Sequence, residues 1–80
     1  MRLKVKLFAS LTRFAPGGQS AGIAFEMDVP EGASLADVAE LLRLPAEEIK
    51  IAYVNARAQQ LDWQLQDDDE IGYFPPVGGG

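Results

Sequence analysis

With neither cysteine nor histidine among its 80 residues, the chain has no thiolate nucleophile, no imidazole acid–base group and no Cys or His metal ligand. Most routes to being an enzyme alone are closed, and the group best placed to react is the terminal carboxylate. The chain ends Pro75-Pro76-Val77-Gly78-Gly79-Gly80. Three consecutive glycines remove every Cβ, so this backbone can thread a narrow channel and present the carboxylate of Gly80 to attack. That suits a group which a partner enzyme adenylates. Proline cannot continue a central β-ladder, so the sheet should stop at about Phe74, and two prolines favour an extended path away from the body. Residues 75–80 can span roughly 20 Å, more than the radius of gyration of about 12 Å expected for this length. A glycine end alone also reads as a disordered terminus or a linker scar. The strand and diproline that precede it weaken that reading.

Three other features carry less. The acidic run Asp67-Asp68-Asp69-Glu70 lacks the alternation and the turn glycine of a calcium loop, and reads as a solvated turn. Trp63 could anchor an interface, but in a domain this small it reads first as a core lid. Gly17-Gly18 lacks the lysine and hydroxyl of a phosphate-binding loop, and no helix follows a strand there. It reads as a flexible connection.

The elements that must position the tail follow from periodicity. Arg2 to Phe8 alternates, with Leu3, Val5 and Leu7 on one side and Arg2, Lys4 and Lys6 on the other, as a half-buried strand does. Ile23 to Val29 repeats the pattern, with Ile23, Phe25, Met27 and Val29 inward. An antiparallel pairing would set Lys4 and Lys6 near Glu26 and Asp28. Ser10 to Phe14 is read as one helical turn. Leu35, Val38, Ala39 and Leu42 make one helix face, Ser34 is the N-cap, and Asp37 suits the positive end of the helix dipole. Pro45 ends that helix. Ile49 to Val54 is a third strand, residues 55–58 a turn, Gln60 to Leu65 a short edge strand containing Trp63, and Glu70 to Phe74 the last strand. The expected class is α+β, with one helix against one face of a sheet. Residues 1–74 form the domain and 75–80 a flexible tail.

Hydrophobic residues are 48% of the chain, enough for one core, although a domain this size buries only somewhat more than ~60% of its unfolded surface. The net charge of −5 is uneven: residues 1–13 carry +4 and the remainder −9. An acidic chain is a poor nucleic-acid binder and suits a partner protein with a basic surface. Residues 1–20 lack the apolar run of a signal peptide, and no segment is long enough to span a membrane. A cytoplasmic protein is the expectation, with no membrane and no nucleic-acid partner.

The segment Asp69-Glu70-Ile71-Gly72-Tyr73-Phe74-Pro75-Pro76-Val77-Gly78-Gly79-Gly80 resembles the D-E-V-x-F-F-P-P-V-x-G-G ending of the small subunits of molybdopterin synthase, ubiquitin-like sulfur carriers of the MoaD/ThiS family. Ile51-Ala52-Tyr53-Val54-Asn55 resembles that family's A-x-V-N strand end, and Leu7-Phe8-Ala9 its L-F-A. The resemblance runs in order along nearly the whole chain. Two positions depart from it: Ala56 follows Asn55 where many relatives have glycine, and Asp68 stands where relatives often have glycine. The resemblance implies a β-grasp fold. It also implies that an E1-like enzyme, using ATP and Mg²⁺, adenylates Gly80, and that a sulfur donor displaces AMP to leave a thiocarboxylate. The charged carrier then docks on the large synthase subunit, in an expected heterotetramer, and passes its sulfur to cyclic pyranopterin monophosphate. Gly80 is the reactive residue by that match and Gly79 its required neighbour, while Phe74, Pro75, Pro76, Val77 and Gly78 form the docking stem. For Phe74, core packing at the end of the last strand is an equal alternative. The carrier binds no stable cofactor and is no catalyst alone. Carriers for thiamine thiazole, tungsten cofactor or tRNA thiolation, and ubiquitin-like protein modifiers, are the alternatives.

Overall fold

The computed structural model describes residues 1–18 and 21–76. Its strands are β1 (Arg2–Leu7), β2 (Phe25–Asp28), β3 (Ile51–Val54), β4 (Arg57–Gln59) and β5 (Glu70–Phe74), and its one α-helix among these residues is α1 (Leu35–Leu41). They form a mixed sheet in the order β2-β1-β5-β3-β4, with β1 and β5 parallel at the centre and the other pairs antiparallel. This is the β-grasp architecture, with the helix packed across one face.

Alternation sorts the side chains as the sequence implies. Leu3, Val5 and Leu7 of β1, Ala52 and Val54 of β3, and Ile71 and Tyr73 of β5 are buried with Leu35, Val38, Ala39 and Leu42 of the helix. Phe25, Val29, Leu11, Leu44 and Leu65 close the edges of this core. The Tyr73 hydroxyl, itself buried, donates to the Leu35 carbonyl at 2.6 Å, so the last strand is tied to the first turn of α1.

Ser34 caps the helix as expected. Its hydroxyl accepts from the Asp37 N–H at 3.1 Å, and the Asp37 carboxylate accepts from the Ser34 N–H at 2.9 Å, a reciprocal capping box. The helix ends before Pro45, in a Schellman motif: Leu44 N–H donates to Ala39 O and Arg43 N–H to Glu40 O. Arg43 takes the left-handed position, φ 62°, where glycine is usual.

Four expectations need correction. Ile23 is 55% exposed rather than inward, because the strand begins only at Phe25, after Gly22 at φ 75° has turned the chain. The third strand starts at Ile51, two residues late, since residues 46–48 form a 3₁₀ turn. The edge strand is Arg57–Gln59 rather than 60–65. Asn55 and Ala56, at φ 50° and 72°, make a two-residue hairpin turn that returns the chain at once. Trp63 is 45% exposed. The segment that carries it spends its backbone on the helix start, the Trp63 and Leu61 carbonyls accepting from Leu35 and Ala36 N–H at 3.1 and 2.8 Å. That satisfies orphan donors of the first turn and leaves the indole outside, while Leu65 fills the core place.

The antiparallel register of β1 and β2 is as expected and sets Lys4 opposite Glu26, while the ion pairs are made by Arg2 and Lys6. Arg2 bridges Asp28 and Glu26, each at 2.9 Å, and Lys6 lies 3.6 Å from Glu70. A guanidinium fork reaches two carboxylates where an ammonium reaches one.

Candidate functional site

Strand β5 leads directly to the tail. Its final ladder bond is Lys50 N–H to the Phe74 carbonyl at 2.8 Å, after which Pro75 and Pro76 lie outside the sheet, Pro75 half-buried and Pro76 exposed. The expected stop at Phe74 is therefore observed. Val77, Gly78, Gly79 and Gly80, four of the residues expected to carry the site, lie outside the described residues.

Around the end of β5, the open face of the sheet carries an aromatic platform. Alternation puts Gly72 and Phe74 of β5 on the face away from the helix, opposite Tyr53 and Ile51 of β3, with Lys6 of β1 opposite Gly72. Phe8, one residue beyond β1, stacks on Phe74 with ring centroids 4.0 Å apart and planes 6° from parallel. Tyr53 meets Phe74 edge-on at 5.4 Å and 78°. Both are favourable aromatic geometries. With Lys6, Glu70 and Gly72 these rings line a shallow concavity of about 310 Å³. Phe74 is thus half-buried, packed against the sheet from outside rather than in the core.

The polar surroundings are held by named bonds. Asn55, known from sequence only as a turn residue, receives the Glu70 N–H on its side-chain oxygen at 3.0 Å and donates to Asp69 at 2.9 Å. It thereby fixes the start of β5. The acidic run is a turn in use: Asp67 accepts from the Arg2 N–H at 2.7 Å and Asp69 from the Gln66 N–H at 2.8 Å. Among the described residues, no group of three or more carboxylates is arranged to hold a metal ion. Arg13 is engaged within the chain, donating to Glu48 and to the Ser10 carbonyl, each at 2.6 Å.

Three groups among the described residues titrate away from their ordinary values, and the first, the Arg2 guanidinium, is raised by its hydrogen bonds to Asp28 and Glu26. The hydrogen bond from Arg2, with its charge, holds the Asp28 carboxyl below the usual carboxylate range. Burial pushes the Tyr73 hydroxyl above the usual tyrosine range.

Sequence reasoning found Phe74 and the diproline but not Phe8, Tyr53 or Gly72 as parts of one surface. The signal was available in the outward positions of the strands, Lys4-Lys6-Phe8, Ile51-Tyr53 and Glu70-Gly72-Phe74. Joining them required the strand order.

The sheet order, the helix laid across it and a last strand running out into diproline define a ubiquitin-like β-grasp domain. The ThiS family profile matches residues 5–80, and the chain belongs to that family. No curated protein matches the sequence significantly. Among solved structures, SAMP1 from Haloferax volcanii superposes with a TM-score of 0.73 at 26% identity, covering 100% of both chains. A putative molybdopterin converting factor, subunit 1, from Pyrococcus furiosus gives 0.69 at 29%, covering 96% of this chain and 99% of the other. The H. volcanii small archaeal modifier protein 1 gives 0.72 at 25%, covering 95% and 98%. The fold is thus one shared by sulfur carriers and ubiquitin-like modifiers. Among the described residues no helix is long and apolar enough to cross a membrane.

Proposed function

We propose that this chain is a sulfur carrier that serves as the small subunit of a molybdopterin synthase, with Gly80 as its reactive end. The observation that carries the reading is the end of β5: the strand stops at Phe74 on an aromatic platform, and Pro75-Pro76 follows outside the sheet. A partner that covers the platform receives the remaining residues within reach of its own site.

The chemistry belongs mostly to partners. The Gly80 carboxylate attacks the α-phosphorus of ATP in the activating enzyme, with Mg²⁺, and pyrophosphate leaves. Sulfide released by a sulfur donor attacks the acyl carbon of the adenylate, the C–S bond forming as the C–O bond to AMP breaks, and the thiocarboxylate results. Within the large subunit this sulfur passes to cyclic pyranopterin monophosphate, and the spent carrier returns to a carboxylate by addition of water. Carboxylate is a poor electrophile, and the mixed anhydride supplies the leaving group. The carrier contributes placement and the partners the electrostatic stabilisation. Gly79 and Gly78 keep the channel-entering segment free of side chains, while Val77, Pro76, Pro75 and Phe74 make the docking stem. The F-P-P-V sequence and the P. furiosus converting-factor subunit support molybdopterin over thiamine thiazole as the sulfur's destination.

Mass spectrometry of the protein purified from its host tests this. An oxygen-to-sulfur mass increase on the C-terminal peptide is expected, and deletion of Gly79-Gly80 should abolish the host's molybdoenzyme activity. Active molybdoenzymes in the deletion strain would refute the assignment. The likeness to small archaeal modifier protein 1 supports a second reading, a protein modifier. It predicts Gly-Gly remnants on lysines of other proteins in the same digest.

A further inference from the structure

We propose that Phe8 is the positioning residue that aims the tail stem, and that its ring sits in a slot formed by the backbones of Gly72 and of Gly22, the latter being required as glycine by its φ of 75° as well. The proposal deepens the functional reading only in its consequence, since the geometry concerns the free protein.

A surface phenylalanine is ordinarily held by neighbouring side chains. Here the two edges of the Phe8 ring rest on bare backbone. A Cβ placed on Gly72 would lie 3.2 Å from Phe8 Cε2, and one placed on Gly22 would lie 3.3 Å from Cε1. Both distances are shorter than ordinary van der Waals contact between carbons, so either substitution would press on the ring. The two glycines come from separate parts of the chain, one from the loop before β2 and one from the middle of β5. Gly22 is itself tied down, its N–H donating to the Leu7 carbonyl at 3.0 Å, beside the residue whose ring it touches.

The backbone of Phe8 is equally fixed. Its carbonyl accepts from the Leu11 N–H at 3.0 Å. The next residue, Ala9, takes φ 51°, a left-handed conformation that costs an alanine energy and persists where the surroundings over-determine it. Thr12 Oγ1 donates to the Ala9 carbonyl at 2.9 Å. Phe8 therefore offers one ring face in one orientation, and Phe74 lies flat on it. Tyr53 braces Phe74 from another side. Phe74 is the residue before Pro75, whose ring fixes φ and restricts the residue preceding it. A fixed Phe74 thus gives Pro75-Pro76 a preferred direction, and a stem already aimed loses less freedom on docking.

Residual dipolar couplings at the Cα–Hα bonds of Phe74, Pro75 and Pro76 in the free, full-length protein read this direction without any partner or sulfur, so their outcome is independent of the pathway served. In the unsubstituted protein they should fit the same alignment frame as β1 and β5. In Gly72→Val they should fall to roughly half or less as the stem samples a cone, with helix couplings unchanged. Phe8→Ala should give the same loss, and adding Gly72→Val to it should change nothing more. If Gly72→Val disturbs the helix couplings as well, Gly72→Ala adds only the Cβ that lies 3.2 Å from the ring and should reproduce the loss at Pro75 and Pro76. Three results would overturn the proposal: couplings already averaged in the unsubstituted protein, couplings preserved in Phe8→Ala, or an equal effect of Gly72→Val with and without Phe8.

Discussion

Replacing Phe74 with alanine separates a docking residue from a core residue by magnitude. Tyr73, its neighbour, has no exposed surface, and truncating an aromatic so placed costs about 3–5 kcal/mol. Phe74 instead sits on the open face, stacked at 4.0 Å on Phe8 and edge-on to Tyr53. Removing it forfeits the aromatic geometry, about 0.5–1.5 kcal/mol, and roughly half the burial of a phenylalanine, about 1 kcal/mol. The expected loss is about 2 kcal/mol. At 4–8 °C per kcal/mol for a domain of this size, the melting temperature should fall by about 8–16 °C. The domain stays folded at ordinary temperature, so binding can be measured on folded protein. A platform residue at the centre of an interface should cost about 2 kcal/mol or more there, roughly thirtyfold in Kd. Thermal melts followed by circular dichroism and titration calorimetry with the large subunit give both numbers. A loss of stability well above 3 kcal/mol with Kd unchanged would refute the reasoning, because Phe74 would then brace the fold and not the complex.

Ala56→Gly should raise stability by about 0.5–1 kcal/mol, since Ala56 holds φ 72° in the hairpin turn and glycine adopts that region without strain; unchanged denaturant midpoints would contradict this. Tyr73→Phe should cost about 1 kcal/mol, the value of one neutral hydrogen bond to Leu35. Burial raises the Tyr73 pKa, so its stabilisation is present below the unfolded value of about 10 and is lost as pH rises through the folded one; alkaline melts of the phenylalanine variant should be flatter across that window. Asp28 is depressed by Arg2. Its contribution is present above the unfolded value of about 3.9 and lost as pH falls through the folded value. Asp28→Asn should flatten the acid limb of stability, less so at high salt.

Elements whose information is local were legible in the sequence. Leu35, Val38, Ala39 and Leu42 define the helix face without reference to the rest of the chain, and the Ser34–Asp37 box lies within one turn. The alternation of β1 and of Glu70–Phe74 is likewise local. What could not be read depends on contacts across the chain. Trp63 looks like a core residue until residues 61–63 are seen serving the helix amides. The edge strand was displaced because Asn55-Ala56 adopts a tight turn that favours glycine at its second position. Arg2, rather than the lysines, takes both carboxylates because its fork spans Glu26 and Asp28. For the candidate site, Gly79 and Gly80 carry the proposed chemistry in the sequence and lie outside the described residues, whereas Pro75-Pro76 marks the observed end of β5. The platform stayed hidden because Phe8 meets Phe74 only when the first and last strands pair in parallel, and Tyr53 joins them only through the antiparallel pairing of β3 with β5.

The proposed sulfur carrier and the alternative protein modifier would share that platform. Sulfur carriage and protein modification begin with the same adenylated glycine and differ in the nucleophile that follows, sulfur in one and a lysine amine in the other. The nucleophile is the partner's, so a side-chain-free tail places little constraint on which pathway uses it. On the proposed reading, partner choice falls on surface that differs in shape and charge, and the surface we propose for it is the platform of three rings bounded by the Lys6–Glu70 pair. Substitutions in the glycines should disable every pathway the carrier serves. Substitutions at Tyr53 or the Lys6–Glu70 rim should weaken one partner more than another, because rim charges set encounter rate and discrimination more than raw affinity. Measuring adenylation and synthase binding on the same rim variants distinguishes these cases, and a uniform loss in both would place partner selection elsewhere on the domain.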